Sequence, residues 1–327
     1  MTIREIKENN EEIILRPRAS KSAASKGRVR PEKTDDIRTC FEIDRTRIIY
    51  SKAFRRLKHK TQVFISPESD HTHTRLTHTL EVADIADRIA GGLGLNRELT
   101  NAIALGHDLG HAPFGHAGEA VLNELYPGFA HNEQSLRVVD ILEDLNLSFE
   151  VRDGILNHRT ANTPATLEGK IVNISDKIAY INHDLEDALA SGMISRSDFP
   201  SRIFEVLGES GEERINTMVN DVIFNSIDKA EIRKSPLIGA LTDELRSLLF
   251  EKLYLGSAPK ANQEEKAGKC LKMLFYHYME NPGAMPEEYA ARGREDLARS
   301  VCDYISGMTD NFAIETYKEI FLPLSHR

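Results

Sequence analysis

His107-Asp108-Leu109-Gly110-His111-Ala112-Pro113-Phe114-Gly115-His116 places three histidines and an aspartate within ten residues. The whole chain of 327 residues holds only twelve histidines, so this concentration is hard to explain as packing. An ionised aspartate beside a core histidine costs several kcal/mol to bury unless it is paired or holds a cation. Two more distant residues, His78 and Asp176, complete a mixed nitrogen and oxygen set. That donor set suits a hydrated divalent ion of the Mg, Mn, Fe, Co or Ni range better than a thiolate site would. It points to metal-dependent hydrolysis.

The sequence to either side patterns as helix. From about Leu76, the residues Val82, Ile85, Ala86 and Ile89 fall on one face, and Gly91-Gly92 marks the end. His78 lies four residues before Val82 and shares that inward face. Asn96 is a good cap for the next helix, along which Leu99, Ile103 and His107 recur every four residues. The helix bearing Asp176 follows Pro164 and Thr166 and has Ile171, Ile174, Ile178, Ile181 and Leu185 as its core stripe. Asp176, Tyr180 and Asp184 form a neighbouring stripe with Lys177 beside it, an arrangement that suits the wall of a pocket. Thr39 to Lys60 also reads as helical, through Phe41, Ile48, Ile49, Phe54 and Leu57. Residues 17–36, 66–70 and 256–262 read as loops. There is no internal repeat and no period-2 strand pattern. The expectation is an all-α chain with a basic N-terminal arm (1–36), a core (37–200) and further amphipathic helices (201–327) packed on that core.

Each candidate ligand has an ordinary alternative. A single histidine on an apolar helix face is more often a satisfied core residue, and Asp176 alone could be a cap or a salt-bridge partner. The argument rests on the set. Composition agrees with a soluble globular protein, at 40% hydrophobic and 28% charged residues. No apolar run is long enough to span a bilayer, and the N-terminus lacks a signal-peptide core. Three widely spaced cysteines (Cys40, Cys270, Cys302) argue for a reducing cytoplasm and against a disulfide framework or a cysteine-based zinc site. The net charge of −9 hides an asymmetry, because the first 60 residues carry 17 Lys/Arg against 9 Asp/Glu. A basic end suggests contact with a phosphate group or nucleic acid; the alternative is a solvated basic face.

The order His, His-Asp, Asp on successive helices resembles the HD-domain metal phosphohydrolases. The flanking words narrow the resemblance: Phe54-Arg55-Arg56-Leu57-Lys58-His59-Lys60-Thr61-Gln62-Val63-Phe64, Thr74-Arg75-Leu76-Thr77-His78-Thr79-Leu80-Glu81-Val82, His131-Asn132-Glu133-Gln134-Ser135 and Ser175-Asp176-Lys177. With the histidine-rich stretch, they are similar to the deoxyguanosine triphosphate triphosphohydrolase (dGTPase) family. The similarity runs from about Arg38 to Asp187, and Asp303-Tyr304-Ile305-Ser306-Gly307-Met308-Thr309-Asp310 also looks family-like.

This resemblance implies an HD-type helical bundle with additional C-terminal helices and one divalent ion. The implied reaction splits dGTP, or several dNTPs, into deoxynucleoside and inorganic triphosphate. His78, His107, Asp108 and Asp176 would hold the ion. His116 and Glu119 would be the acid/base pair, three residues apart at the start of a predicted helix and so able to meet. His111 and His131 would sit at the phosphates or assist proton transfer, with a helix cap after Pro127-Gly128 as the other reading of His131. Arg75 would reach the α-phosphate, Lys177 and Tyr180 the phosphate tail or sugar, and Gln62 the deoxynucleoside. Asp184 would orient Tyr180 or a basic neighbour.

For Arg45 and Arg56 a solvated helix face competes with a pocket or subunit contact. His71 and His73 tempt a second metal site, but a flexible loop is the better reading; many relatives carry arginine where His73 stands. Family members commonly form homo-oligomers, some activated by a second dNTP. Two alternatives remain: another HD-type enzyme (a nucleotidase, a phosphodiesterase or a (p)ppGpp hydrolase), or a regulatory protein on an HD scaffold that binds single-stranded nucleic acid in a salt-dependent way.

Overall fold

Capping residues set the helix starts that matter for the site. Thr74 accepts the Thr77 N–H, Asn96 that of Leu99, and Thr166 that of Gly169. Each satisfies an otherwise orphaned donor of a first turn. The computed structural model describes residues 1–63, 65, 72–159, 161–255 and 258–323, and these carry sixteen α-helices. The first six are α1 Ile3–Ile14, α2 Cys40–Tyr50, α3 Lys52–Arg56, α4 Arg75–Leu93, α5 Arg97–Gly106 and α6 Gly115–Leu125. Next come α7 His131–Arg137, α8 Phe149–Leu156, α9 Leu167–Ala190, α10 Ser201–Leu207, α11 Gly211–Ser226 and α12 Pro236–Leu249. The last four are α13 Ala258–Glu280, α14 Glu287–Arg292, α15 Leu297–Ser306 and α16 Asp310–Phe321. The all-α expectation holds: among the described residues, extended pairing is limited to two isolated bridges, Arg28 with Ser148 and Thr61 with Thr74. No helix among them is long and apolar enough to cross a membrane.

Four details depart from the sequence reading. α4 runs past Gly91-Gly92 and stops at Gly94, which takes the left-handed conformation at φ +64° that a helix C-terminus favours. The expected helix from Thr39 to Lys60 breaks at Ser51, whose hydroxyl caps α3 by accepting the Phe54 N–H. The expected loop at 256–262 is helical from Ala258 onward, since a proline in a first turn costs no hydrogen bond. α1 went unread, although Thr2 and Glu5 form a capping box.

Two apolar cores flank the histidine-rich stretch. In the first, Val82, Ile85 and Ile89 of α4 pack with Leu99 and Ile103 of α5 and with Ile171, Ile178 and Leu185 of α9. In the second, Leu122 of α6 packs with Leu271 and Leu274 of α13 and with Val301 and Ile305 of α15. Leu109 belongs to the first core, while Ala112 and Phe114 belong to the second. Buried side chains of this size contribute about 1.5–3 kcal/mol each. The stretch between His107 and His116 is thus pinned at both ends and has little freedom in between.

The basic N-terminal region spends much of its charge locally. Arg4 pairs with Glu8, Lys7 with Glu42, Arg28 with buried Asp44, Arg30 with Asp144 and Arg47 with Glu32. Arg45 pairs with Glu98 and Arg56 with Glu143. Ser20 binds Glu168 at the start of α9 through both its N–H and its hydroxyl, each at 3.0 Å.

Candidate active site

Four side chains, from α4, from the turn that ends α5 and from α9, converge where the first core ends. His78 Nε2 lies 3.2 Å from Asp176 Oδ1 and 3.9 Å from Asp108 Oδ2. His107 Nε2 lies 3.5 Å from Asp108 Oδ2 and 3.9 Å from Asp176 Oδ1. Ligand atoms bound at about 2.1 Å to one divalent ion sit roughly 3–4 Å from one another, so these separations fit a shared cation. The tautomers fit as well. His107 Nδ1 donates to the Ala104 carbonyl at 2.7 Å, which leaves Nε2 as a lone pair, buried and without a partner. His78 Nδ1 lies 2.8 Å from His183 Nε2, and donation along that contact leaves His78 Nε2 free toward the two acids. Burial pushes the His78 imidazole down, toward the neutral form that ligates. Burial works to raise both carboxylates. His78 and His107 overcome it at Asp176, and His107 and Arg75 at Asp108, so both are held well below the usual range. A divalent cation matches this donor set.

His183 lies seven residues beyond Asp176 on α9, and its Nδ1 is 2.8 Å from Asp184 Oδ1, close but outside hydrogen-bond geometry. Partners that orient a ligating imidazole are typically worth 10–100-fold in metal affinity. His183→Ala should weaken Mn binding by about that factor, and His183→Gln, whose amide oxygen can accept from His78, should recover part of it. Calorimetric titration with Mn checks this; unchanged affinity in His183→Ala removes the orienting role.

A second group of side chains abuts the first. Glu119 accepts the His131 backbone N–H at 3.0 Å, and its two oxygens lie 3.0 and 2.9 Å from His131 Nδ1. His116 Nδ1 is 3.6 Å from the same carboxylate. On its other edge, His131 Nε2 meets His158 Nε2 at 3.1 Å, while His158 Nδ1 donates to the Ile155 carbonyl at 2.7 Å. Burial pushes His158 down to about 3, so its Nε2 offers a lone pair. His131 therefore lies between the Glu119 carboxylate at Nδ1 and the His158 ring at Nε2. Burial alone would raise Glu119, but His116 and His131 hold it far below the carboxylate range. His111 stacks on His131 with centroids 4.8 Å apart, and its buried Nε2 has no partner. Burial and then Arg75 keep this ring well below the usual histidine range.

The backbone that aims these groups is unusual. Phe114 has φ +63°, a conformation that costs a non-glycine residue roughly 1–2 kcal/mol. Its ring is buried in the second core. Its N–H is bound by Asp310 at 2.9 Å, so both ends of the residue are held. A Cβ on Gly118 would fall 1.8 Å from the Pro113 carbonyl oxygen, so the first turn of α6 closes over Pro113 only with glycine there.

On the substrate side, Arg75 is buried. Nη1 binds Asp108 Oδ2 at 2.6 Å, Nε donates to the Thr61 carbonyl at 3.0 Å, and Nη2 has no partner. Gln62 is buried, with Oε1 likewise unpartnered. Burial pushes the Tyr180 phenol up to about 12, against the pull of the Arg246 charge on α12. Burial and the charges of Lys234 and Arg246 push Lys177 down. Lys177, next to Asp176 in sequence, thus has Lys234 and Arg246 near it, together with the Asp243 carboxylate. Asp184 lies against His183.

His71 lies outside the described residues. His73 is clamped, with Nδ1 2.8 Å from Asp187 and Nε2 3.0 Å from Glu81. Its hydrogen bonds to Asp187 and Glu81 push the imidazole up to about 10. A raised folded-state value means that the clamp stabilises fully below the unfolded value of about 6.5 and fades as pH rises toward 10. The stability difference between wild type and His73→Gln should be present at pH 6 and gone by about pH 10.5. Denaturant titrations at both pH values test it; an equal gap at both excludes the ionic clamp.

Sequence reasoning passed over His158, His183, Lys234 and Arg246. His183 shares a helix face with Asp176 and was findable by that spacing. His158 follows α8 with no local signal, and the two cations are brought in by tertiary packing.

Comparison with known proteins agrees with this geometry. The HD domain family model matches residues 75–181, and the phosphohydrolase-associated domain model matches residues 232–319. A deoxyguanosinetriphosphate triphosphohydrolase-like protein of Caldanaerobacter subterraneus is 56% identical over 99% of this chain and 97% of its own length. A protein of the same description from Clostridium perfringens strain SM101 is 48% identical over 99% of this chain and 98% of its own length. In fold, the chain is similar to the crystal structure of a phosphohydrolase from Bacteroides thetaiotaomicron, at TM-score 0.53 and 16% identity over 84% of this chain and 69% of that one. The chain belongs to the HD-domain phosphohydrolases, within the deoxyguanosinetriphosphate triphosphohydrolase-like proteins.

Proposed function

We propose that this chain is a divalent-metal-dependent dNTP triphosphohydrolase that cleaves dGTP, or several dNTPs, to deoxynucleoside and inorganic triphosphate. One observation carries the reading: His78, His107 and Asp176 form one group of potential ligands, Asp108 Oδ2 lies 3.9 and 3.5 Å from the Nε2 atoms of His78 and His107, and Asp108 Oδ1 lies 3.9 Å from His131 Nε2, beside the group of His111, His116 and Glu119. When bound, a divalent cation lowers the pKa of water and neutralises phosphoryl oxygens. The chain supplies the rest. Arg75, with one guanidinium nitrogen unpartnered, offers a donor to the α-phosphate. Lys177, Lys234 and Arg246 give the phosphate tail a positive wall. Water attacks phosphorus and loses a proton; the P–O5′ bond breaks and the 5′-oxygen takes one up. His131, held by Glu119 and His158, and exposed His116 are the groups placed to move those protons.

The names of the relatives favour dGTP as substrate. The test is incubation with each dNTP, singly and in mixtures, with Mn or Mg, followed by separation of the products. Release of inorganic triphosphate is expected, and mixtures reveal activation by a second dNTP. Pyrophosphate or orthophosphate instead would assign the site to another HD-type nucleotide hydrolase. Locally paired basic residues in the N-terminal region disfavour the nucleic-acid reading.

A further inference from the structure

We infer that Asp310 is a positioning residue through which the C-terminal helices hold two parts of the candidate active site in register. Its carboxylate is buried between the segment after α3 and the turn before α6. Oδ2 accepts the Thr61 N–H at 2.9 Å and the Thr61 hydroxyl, and Oδ1 accepts the Phe114 N–H at 2.9 Å. Thr61 precedes Gln62, and its carbonyl takes the Arg75 Nε–H. Phe114 precedes Gly115-His116 and stands at the N-cap of α6, where its own side chain makes no cap bond. One carboxylate therefore ties the backbone behind Gln62 and Arg75 to the turn that aims His116 and Glu119.

Lys60 reinforces the same joint. Its buried ammonium donates to the carbonyl of His111 and, at 2.7 Å, to that of Ser306. None of these bonds is made to the side chains of His78, His107, Asp108 or Asp176, and Asp108 is reached only through Arg75, so the joint acts first on the acid/base and substrate groups and only indirectly on the ion site. An aspartate is required because three donors converge on two oxygens. An asparagine of the same shape must turn its NH2 toward at least one of them and lose that bond.

The test uses full-length Asp310→Asn and has three readouts. Hydrogen–deuterium exchange should quicken by about tenfold or more in peptides covering 61–63 and 112–119 and stay unchanged around His78 and Asp176. Mn affinity should stay within about threefold of wild type. With dNTP as substrate, an arm that rests on the function proposed above, kcat should fall by about 10–10²-fold with KM changing less. Should Asp310→Asn fail to fold, Thr61→Val deletes one of the three bonds and should give the same exchange pattern at smaller amplitude. Unchanged exchange in both segments overturns the inference, as does Mn affinity falling in step with kcat, which marks general loosening. A wild-type protein that releases no triphosphate from any dNTP overturns the proposed function, while the exchange arm still decides the role of Asp310.

Discussion

Asp108→Ala should abolish Mn binding and turnover together, and it should also destabilise the protein before any ion is added. The first effect follows from position: Asp108 Oδ2 faces both His78 and His107 across the donor set. The second follows from Arg75. That side chain is 4% exposed, and among the described residues its one ion pair is with Asp108, at 2.6 Å. Removing one partner of a buried pair typically costs about 3–5 kcal/mol, because the other charge is left uncompensated. The Thr61 carbonyl remains to Arg75 and offsets part of that cost. Asp108→Asn keeps the shape and a hydrogen-bond acceptor, so it should lose the ion with a smaller fall in Tm. Calorimetric Mn titration and thermal melts of the metal-free proteins read the two effects separately. Mn affinity within a few-fold of wild type in Asp108→Ala would remove that residue from the ion site, and an unchanged melt would show that Arg75 does not depend on it.

The same residues show what the sequence makes legible. Helical periodicity placed His78 and His107 on inward faces, because a residue four positions from a core residue must point with it, and Asp176 on a stripe beside the core face. It could not place Arg75 on Asp108, since that contact joins the first turn of α4 to the end of α5 and depends on how the two helices cross. Asp310 stood in a stretch already noted as family-like, yet its partner Thr61 is 249 residues away. The charge bias of the first 60 residues was visible, whereas the acids that absorb it, such as Glu98 and Asp144, lie beyond that segment. Side-chain type and spacing report which face a residue takes. Pairing across distant segments is decided by packing, and there the sequence is silent.

Replacing Glu119 by Gln, or His116 by Ala, should each slow turnover by about 10²–10⁴-fold, the usual range for a lost general acid or base, with Mn affinity retained. The two changes act differently. Glu119 lies 2.9 Å from His131 Nδ1, while His158 Nε2 meets the other nitrogen of that ring at 3.1 Å. An amide in its place can still accept from the His131 backbone, so the local fold survives, but the negative charge beside His116 and His131 is gone. The pH–rate profile of Glu119→Gln should therefore change shape as well as height. His116 is different: its side chain is 63% exposed and 3.6 Å from Glu119. Its removal gives up an edge-on contact with the buried His111 ring, at 5.5 Å between centroids, and no buried hydrogen bond, so Tm should move little and a large loss of rate reflects chemistry or substrate contact. Single-turnover rates with the proposed dNTP substrates, measured at saturating Mn, decide the matter. A variant that keeps its rate within about threefold takes that side chain out of the proton path, and if both do, the acid/base pair lies elsewhere, with His111 and its unpartnered Nε2 the next group to test.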